Sequence, residues 1–377
     1  MNVLMVESFY GGSHRSFADG YVANSVNRIE LTTLPADRWR ERVRWGALEI
    51  ARAVPAVTGY DAVLVTDLIN LPDLLVLWGR RGSTPPVLLY MHESQLTYPN
   101  SRRRGRDSAF GVQDVKNCLA ADRVVFNSHA HRSAFLAAVD QLAGTVSAAD
   151  SGEWRTNIEA KSGVVYPGVE VGGPDDGTTD SVDPSRGAGN RPSMKSPDPP
   201  SGSVALRTGT GLRAPRIVWN HRWEYDKRPH QFFRTLGALA DDGLEFEVVA
   251  LGEQLHGETT AISHLRDKLA DRIVHWGHLE RRQDYWNWLR SSDIVVSTAI
   301  QENFGLSVVE AVSAGCVPLL PCRLSYPEII PPEYHRAVLY KDLADLKKRL
   351  RTKIDSPRDR GEACKDNDDE RQGCRWG

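Results

Sequence analysis

Two carboxylates with seven residues between them, Glu302 and Glu310, lie in the stretch Gln301 to Pro321, QENFGLSVVEAVSAGCVPLLP, of this 377-residue chain. A β-rich run, Asp293 to Ala299, precedes the stretch. Its pattern predicts an apolar helix from near Leu306 to Gly315, then a strand over Cys316 to Leu320. The first amides of a helix have no partner inside it and sit at the positive end of its dipole, so Asn303, Phe304, Gly305 and Leu306 form an anion site. Gly305 has no side chain to hold a phosphate off that backbone. Glu310, inside Val308-Val309-Glu310-Ala311-Val312, would be costly as a bare buried charge, and sugar hydroxyls are donors that would satisfy it. Singly, each glutamate reads as an ordinary polar surface group. The loop, the glycine and both acids together favour a ligand.

Further polar groups fall at the ends of expected strands. Arg222 and Lys227 bracket a loop between a strand, Arg216 to Asn220, and a helix near Pro229 to Asp241, where two cations would neutralise a bound anion. His278 and Leu279, after the strand Ile273 to Trp276, lie where a base could stack or bond to backbone. Near the N-terminus Gly11 and Gly12 follow the strand Asn2 to Val6; they read equally as a tight turn or as a close approach to a phosphate or sugar, and they lack the later glycine of the dinucleotide fingerprint. His92 with Glu93, and Asn127 with Ser128, end two more strands. The expected helix Asp37 to Ala53, DRWRERVRWGALEIARA, mixes Arg38, Arg40, Arg42 and Arg44 with Trp39 and Trp45, a composition suited to phosphates and bases. Arg102, Arg103 and Arg104 form a second basic cluster, SRRRGR. Such runs are more often solvated, ion-paired faces, so RNA contact is the sharper of two readings.

Strands alternating with helices position these groups. In the first half the strands are Asn2 to Val6, Arg28 to Thr33, Asp61 to Thr66, Pro86 to Met91, Arg123 to Asn127 and Gly163 to Tyr166, with a helix near Ser13 to Val26. In the second they are Arg216 to Asn220, Phe246 to Leu251, Ile273 to Trp276, Ile294 to Ser297, Cys316 to Leu320 and Ala337 to Tyr340. That alternation predicts doubly wound parallel α/β sheets, whose ligands bind beyond the carboxyl ends of the strands. The length suits two domains. Residues 1–171 form the first and 213–351 the second. Between them 172–212, rich in Pro, Gly, Ser and Asp, cannot offset its ordering entropy and is expected to be disordered, as is the charged tail 352–377.

Composition narrows the function. A net charge of −2 gives no bulk attraction to nucleic acid or membrane, so any polyanion site is a local patch. Five cysteines without metal-ligand spacing fit a reducing compartment. The run MNVLMVESFYGGSH lacks a basic lead and a long apolar segment, and no stretch reaches the length of a membrane span; the cytoplasm is expected. Nothing in the sequence sets an oligomeric state. Asp175-Asp176, Asp241-Asp242 and Asp368-Asp369 sit in polar segments or at a helix end, so no metal site and no cofactor are expected.

The pair Glu302 and Glu310, set in Glu-Asn-Phe-Gly-Leu-Ser before an apolar helix, resembles the paired-glutamate motif of family 4 retaining glycosyltransferases with the GT-B fold, two Rossmann-like domains facing a cleft. More narrowly, Phe9-Tyr10-Gly11-Gly12-Ser13-His14, Tyr90-Met91-His92-Glu93-Ser94-Gln95 with Tyr98-Pro99, Phe126-Asn127-Ser128, Trp219-Asn220-His221-Arg222-Trp223-Glu224 with Asp226-Lys227 and Pro229, and Gln301 to Gly305 resemble the tRNA-queuosine alpha-mannosyltransferase branch. That resemblance implies metal-independent transfer of mannose from GDP-mannose to queuosine at the tRNA wobble position. It implies Glu302 and His92 on the sugar and Glu310 on the ribose, with Arg222, Lys227 and the amides around Gly305 on the diphosphate. Gly11 and Gly12 close against the donor, and Arg38, Arg42, Arg102, Arg103, Arg104, Asn127 and Ser128 are expected on the acceptor side. A lipid-linked or small-molecule alcohol as acceptor, and a binding protein without turnover, are the alternatives.

Overall fold

The computed structural model describes residues 1–79, 83–98, 108–146, 151–170, 213–253 and 259–355. The chain divides into two compact units, Met1–Gly168 and Val169–Gly377. The segment 172–212, Arg102 to Arg104 and the tail beyond Asp355 lie outside the described residues.

The first unit runs β1 (Asn2–Tyr10), α1 (Gly12–Asn24), β2 (Arg28–Pro35), α2 (Trp39–Ala53), β3 (Ala62–Thr66), α3 (Leu71–Gly79), β4 (Val87–Met91), α4 (Ser108–Ala120), β5 (Arg123–Phe126), α5 (His129–Val146), α6 (Ser151–Ala160) and β6 (Ser162–Val164). Its strands are parallel, in the order β2-β1-β3-β4-β5-β6. The direction of winding reverses beside β1, which pairs Val3 with Ile29 on one side and with Ala62 on the other. Leu4, Val6, Val63, Val65, Leu89 and Phe126 enter one core with Ile50, Leu74 and Phe135 from the helices. Helices on the sheet faces explain why these strands read as near-continuous apolar runs.

The second unit runs β7 (Arg216–Trp219), α7 (Pro229–Asp241), β8 (Glu247–Leu251), α8 (Thr260–Lys268), β9 (Ile273–Gly277), α9 (Arg282–Arg290), β10 (Ile294–Val296), α10 (Leu306–Ser313), β11 (Val317–Pro321), α11 (Tyr326–Ile329), α12 (His335–Val338), β12 (Leu339–Tyr340) and α13 (Leu343–Asp355). Its parallel order is β12-β11-β10-β7-β8-β9, so the reversal falls between β7 and β10. Pro229 opens α7, where its missing N–H costs nothing, and Phe232, Phe233, Leu236 and Leu239 bury that helix against the sheet. Each such side chain contributes about 1.5–3 kcal/mol.

Several expectations change at the ends of elements. β1 runs on to Tyr10 rather than ending at Val6. β6 ends at Val164 rather than Tyr166. Ala337 and Val338 close a short helix, leaving Leu339 and Tyr340 as the strand. Residues 352–355, expected in the tail, continue α13, because Ile354 follows Leu346 and Leu350 at helical spacing and is buried with them.

Candidate active site

In the second unit the loops after β7 and β10, the two strands at the reversal, are tied together. Thr298 Oγ1 donates to Lys227 O (2.8 Å) and the Ile300 amide to Asp226 O (2.7 Å). The side chain of Lys227 then turns into the β10 loop, donating to Gln301 O at 2.7 Å and to Glu302 Oε2 at 3.1 Å, with Asp226 Oδ2 at 3.2 Å. Burial alone would push the lysine down, but Glu302 and Asp226 hold it above its ordinary value. Burial likewise works against the Glu302 charge, and Lys227, His221 and Arg222 outweigh it, so the carboxyl lies below its usual range. A buried ion pair of this kind persists because its members are mutually bonded.

Gly305 caps α10 with φ +100, a conformation that strains any other residue, and an added Cβ would meet the Tyr326 ring at 3.2 Å. Tyr326 is fixed by Ser297 Oγ at 2.6 Å, and Ser325 Oγ donates to Phe304 O at 2.8 Å. Phe304 is buried; Asn303 Oδ1 accepts from Gln301 Nε2 at 2.9 Å. The backbone is thus pinned from both sides, and the amides opening α10 project at the carboxyl end of the sheet, a position that favours a phosphate.

Glu310, one turn further on, is buried within the protein's own network. Arg282 Nη2 bonds Oε1, and the Tyr285 hydroxyl donates to Oε2 at 2.7 Å. Asn220 Nδ2, at the end of β7, donates to that hydroxyl (3.0 Å) and to Ser307 O (2.6 Å). Arg282 and Tyr285 come from α9, the helix entered from His278 (exposed) and Leu279 (half-buried). Arg222 is 51% exposed, with Glu224 at 3.6 Å. His221 is buried with Nδ1 3.3 Å from Ser307 Oγ; burial, then Lys227, pushes its imidazole down to about 4, so it is neutral at pH 7.

In the first unit a polar cluster gathers beside the reversal at β1. Glu7, fully buried, accepts from the Phe9 amide at 2.8 Å and faces His14 Nδ1 at 3.2 Å. Burial disfavours a charged His14, but Glu7 outweighs it and raises the imidazole to about 9. The His92 ring lies 4.2 Å from that of His14, and burial together with the His14 charge pushes it well down. Asp67 completes the group, accepting from the Glu93 amide at 2.8 Å and raised by burial. The ligand-capable atoms of Glu7, His14 and His92 lie within 4.8 Å of one another, the one such group of three among the described residues. Asp114 anchors the following loop through Ser94 Oγ (3.0 Å) and the Gln95 amide (2.7 Å). Gly11 is in ordinary extended backbone; its need for glycine is space, since an added Cβ would sit 2.4 Å from Ala36 Cβ, whereas Gly12 has φ +53.

Three expected acceptor-side residues take other parts. Asn127 Nδ2 donates to His92 O (2.8 Å) while its Oδ1 meets His131 Nδ1 (2.8 Å), so it braces His92 from behind. Ser128 Oγ accepts from the His131 amide at 2.9 Å, capping α5. Arg42 is buried, bonded to Pro35 O and paired with Asp37 and Glu49. Arg38, at the start of α2, projects into solvent. Sequence reading missed Arg282, Tyr285, Glu7, His14 and Asp67. The two α9 residues carried one signal, an Arg and a Tyr three apart after a sheet strand; the others lie in short mixed runs with no spacing rule.

The two parallel six-stranded sheets have the fold of the GT-B glycosyltransferases. Solved structures that share it include HepE from Anabaena in complex with UDP and glucose (16% identity, 95% of this chain and 91% of that one, TM-score 0.58). Another is sucrose-phosphate synthase from Thermosynechococcus elongatus (13%, 97% and 94%, TM-score 0.62). Residues 209–370 match the family model for glycosyl transferases group 1, and residues 2–169 that for the tRNA-queuosine alpha-mannosyltransferase N-terminal domain. The tRNA-queuosine alpha-mannosyltransferase of Drosophila melanogaster is 31% identical over 353 residues, 93% of this chain and 86% of that protein. The chain belongs to the tRNA-queuosine alpha-mannosyltransferase family.

Proposed function

We propose that the protein is a retaining, metal-independent transferase that moves mannose from GDP-mannose to queuosine at the wobble position of a tRNA. The observation that carries the reading is the meeting of Lys227, Glu302 and the start of α10 at the β7–β10 reversal. There the amides around Gly305, with Arg222 and Lys227, stabilise charge on a departing diphosphate. Glu302 accepts from mannose hydroxyls and Glu310, already aligned by Arg282 and Tyr285, serves the ribose. His278 and Leu279 border the base. The bond from mannose C1 to the diphosphate oxygen breaks, a bond from C1 to the queuosine hydroxyl forms on the same face, and the hydroxyl proton passes to the departing phosphate. With the leaving group stabilised electrostatically, no protein acid is needed at that oxygen.

The acceptor assignment follows the family, and Arg38 with Arg102 to Arg104 supplies cations for a polyanion. No helix of the described residues is long and apolar enough to cross a membrane. A tRNA substrate fits the cytoplasm. The test is incubation with GDP-mannose and queuosine-containing tRNA, followed by mass analysis of the nucleosides. A mannosylated queuosine is expected, with kcat reduced by about 10²–10³ in Arg222→Ala. Equal GDP release with and without the tRNA, and no modified nucleoside, would overturn the acceptor. Product formation from UDP-glucose in preference would overturn the donor.

A further inference from the structure

Residues 278–281 lead from β9 into α9 and border the base in the reading above, and one of them, Glu280, carries a charge that the transfer itself does not use. Gly277, at φ +118, turns the chain out of β9, and His275 Nε2 donates to its carbonyl at 3.1 Å. An added Cβ at Gly277 would meet nothing within 4 Å, so the main chain is open on that side, where the flat face of a ring can approach. Leu279 is half-buried and packs against the core that holds Trp286 and Leu289, whereas Glu280 is exposed. The segment is anchored by one side chain and presents a carboxylate with the next.

α9 opens against the carboxylate that serves the ribose. Arg282, its first residue and two beyond Glu280, bonds Glu310 Oε1, and Tyr285 donates to Oε2 at 2.7 Å. Arg282 also lies 5.1 Å from the Tyr285 ring centre and 5.5 Å from that of Trp286, which holds the first turn of α9 in place. A base is joined to its ribose by a single bond, so a ribose held by Glu310 leaves its base within reach of the residues that enter this helix. Two acids stand there. Asp284 Oδ2 is 3.7 Å from Arg281 Nε, within the first turn of α9, where an acid also complements the helix dipole. Glu280 has no hydrogen bond or ion pair with any described residue, and both its oxygens remain able to accept from a ligand.

We propose that Glu280 selects the base of the donor, its two oxygens accepting from N1–H and N2–H of guanine. The inference rests on the donor reading above and gives it a chemical reason. Among the common bases only guanine presents two adjacent N–H donors on its Watson–Crick edge, and they match the two oxygens of one carboxylate. Adenine and cytosine set an acceptor beside the amine, and uracil flanks its single N–H with two carbonyls, whose lone pairs would face the carboxylate. A nucleoside diphosphate carrying one of those bases keeps the diphosphate and ribose contacts and loses this one. A site built around such hydrogen bonds discriminates strongly against an analogue that cannot make them.

Binding of GDP, IDP, XDP and UDP is measured on the full chain by calorimetric titration, for the wild type, Glu280→Ala and Glu280→Gln, with the melting temperature of each. IDP differs from GDP only in lacking the 2-amino group, so the ratio of the two isolates the N2–H bond. The wild type is expected to bind GDP on the order of 10-fold tighter than IDP, as for a hydrogen bond to a charged group, and UDP more weakly than either. In Glu280→Ala the ratio closes to within about twofold, through weaker GDP binding at an unchanged melting temperature. In Glu280→Gln the amide donates to the C2 carbonyl of xanthine, so XDP binds more tightly than it does to the wild type. With GDP-mannose as donor, Glu280→Ala raises KM and leaves kcat unchanged. A GDP-to-IDP ratio that is the same in Glu280→Ala as in the wild type, whether or not both ligands weaken, overturns the selection and makes Glu280 a solvated surface acid. No gain for XDP in Glu280→Gln overturns it as well. In either case tight GDP binding by the wild type leaves the donor reading standing, whereas a wild-type preference for UDP overturns that reading and the inference with it.

Discussion

Glu310 is a buried carboxylate whose partners come from the protein itself. Its oxygens are bonded by Arg282 and Tyr285, so the cost of burying the charge is met within the protein and its direction is fixed. Tyr285→Phe removes one of these donors and also takes the acceptor from Asn220 Nδ2. GDP affinity is expected to fall about 10- to 150-fold, as for a lost hydrogen bond to a charged group, with the fold retained. Calorimetric titration with GDP checks it; an unchanged Kd would mean that Arg282 alone sets the carboxylate. At this scale the sequence was informative where chemistry and position coincide. The structure brings Lys227 onto Glu302 beside the Gly305 cap, a meeting that a loop, a glycine and charges at a strand end made legible. Asn127, Ser128 and Arg42 did not reveal their parts, since a polar group bonded to distant backbone and one facing solvent are identical in sequence. Asn127 bonds the carbonyl of a residue 35 positions away, and no local pattern encodes that.

Elements were legible in proportion to their length and burial. The long amphipathic helix α7 and the apolar strands β3, β4 and β8 follow from spacing alone, because the buried face repeats often enough to be unmistakable. The two-residue β12 and four-residue α12 carry too few residues for a period and take their form from packing on β11. Junctions are where these elements acquire function. Among the described residues, the non-glycine residues with positive φ, Arg38, Leu68, Arg228 and Leu324, lie in segments between a strand and the next helix, at the end of the sheet where ligands bind in folds of this kind. Gly305 belongs with them. In Gly305→Ala the backbone strain at φ +100 and the Tyr326 contact act together, for an expected loss of about 1–3 kcal/mol in stability. If the loop yields instead of the whole unit, GDP binding falls while the melting temperature holds. Measuring both separates local from global relief, and neither changing would show that the cap does not need glycine.

For the molecule as a whole, the alternation of strands and helices was enough to specify two parallel sheets, but not where each reverses. The orders β2-β1-β3-β4-β5-β6 and β12-β11-β10-β7-β8-β9 differ, and the reversal decides which strand ends meet. Placing Glu7, His14, Asp67 and His92 together required the first of these orders, which is why only His92 stood out beforehand. That cluster makes stability of the first unit depend on pH. His14 is raised from an unperturbed value near 6.5 to about 9, so the folded state holds its proton more tightly than the unfolded chain. The stabilisation is complete below about pH 6.5 and is lost as pH rises through 9, on the order of 3 kcal/mol in all. Asp114, raised to about 7 by burial, acts in the same direction but over a lower window, from its ordinary carboxylate range up to 7. Chemical denaturation between pH 7 and 9.5 should therefore show a steady decline that flattens in Glu7→Gln, where the partner charge is gone. A decline of the same steepness in that variant would transfer the effect to the buried Asp67, also raised by burial, and remove the Glu7–His14 pair from the account.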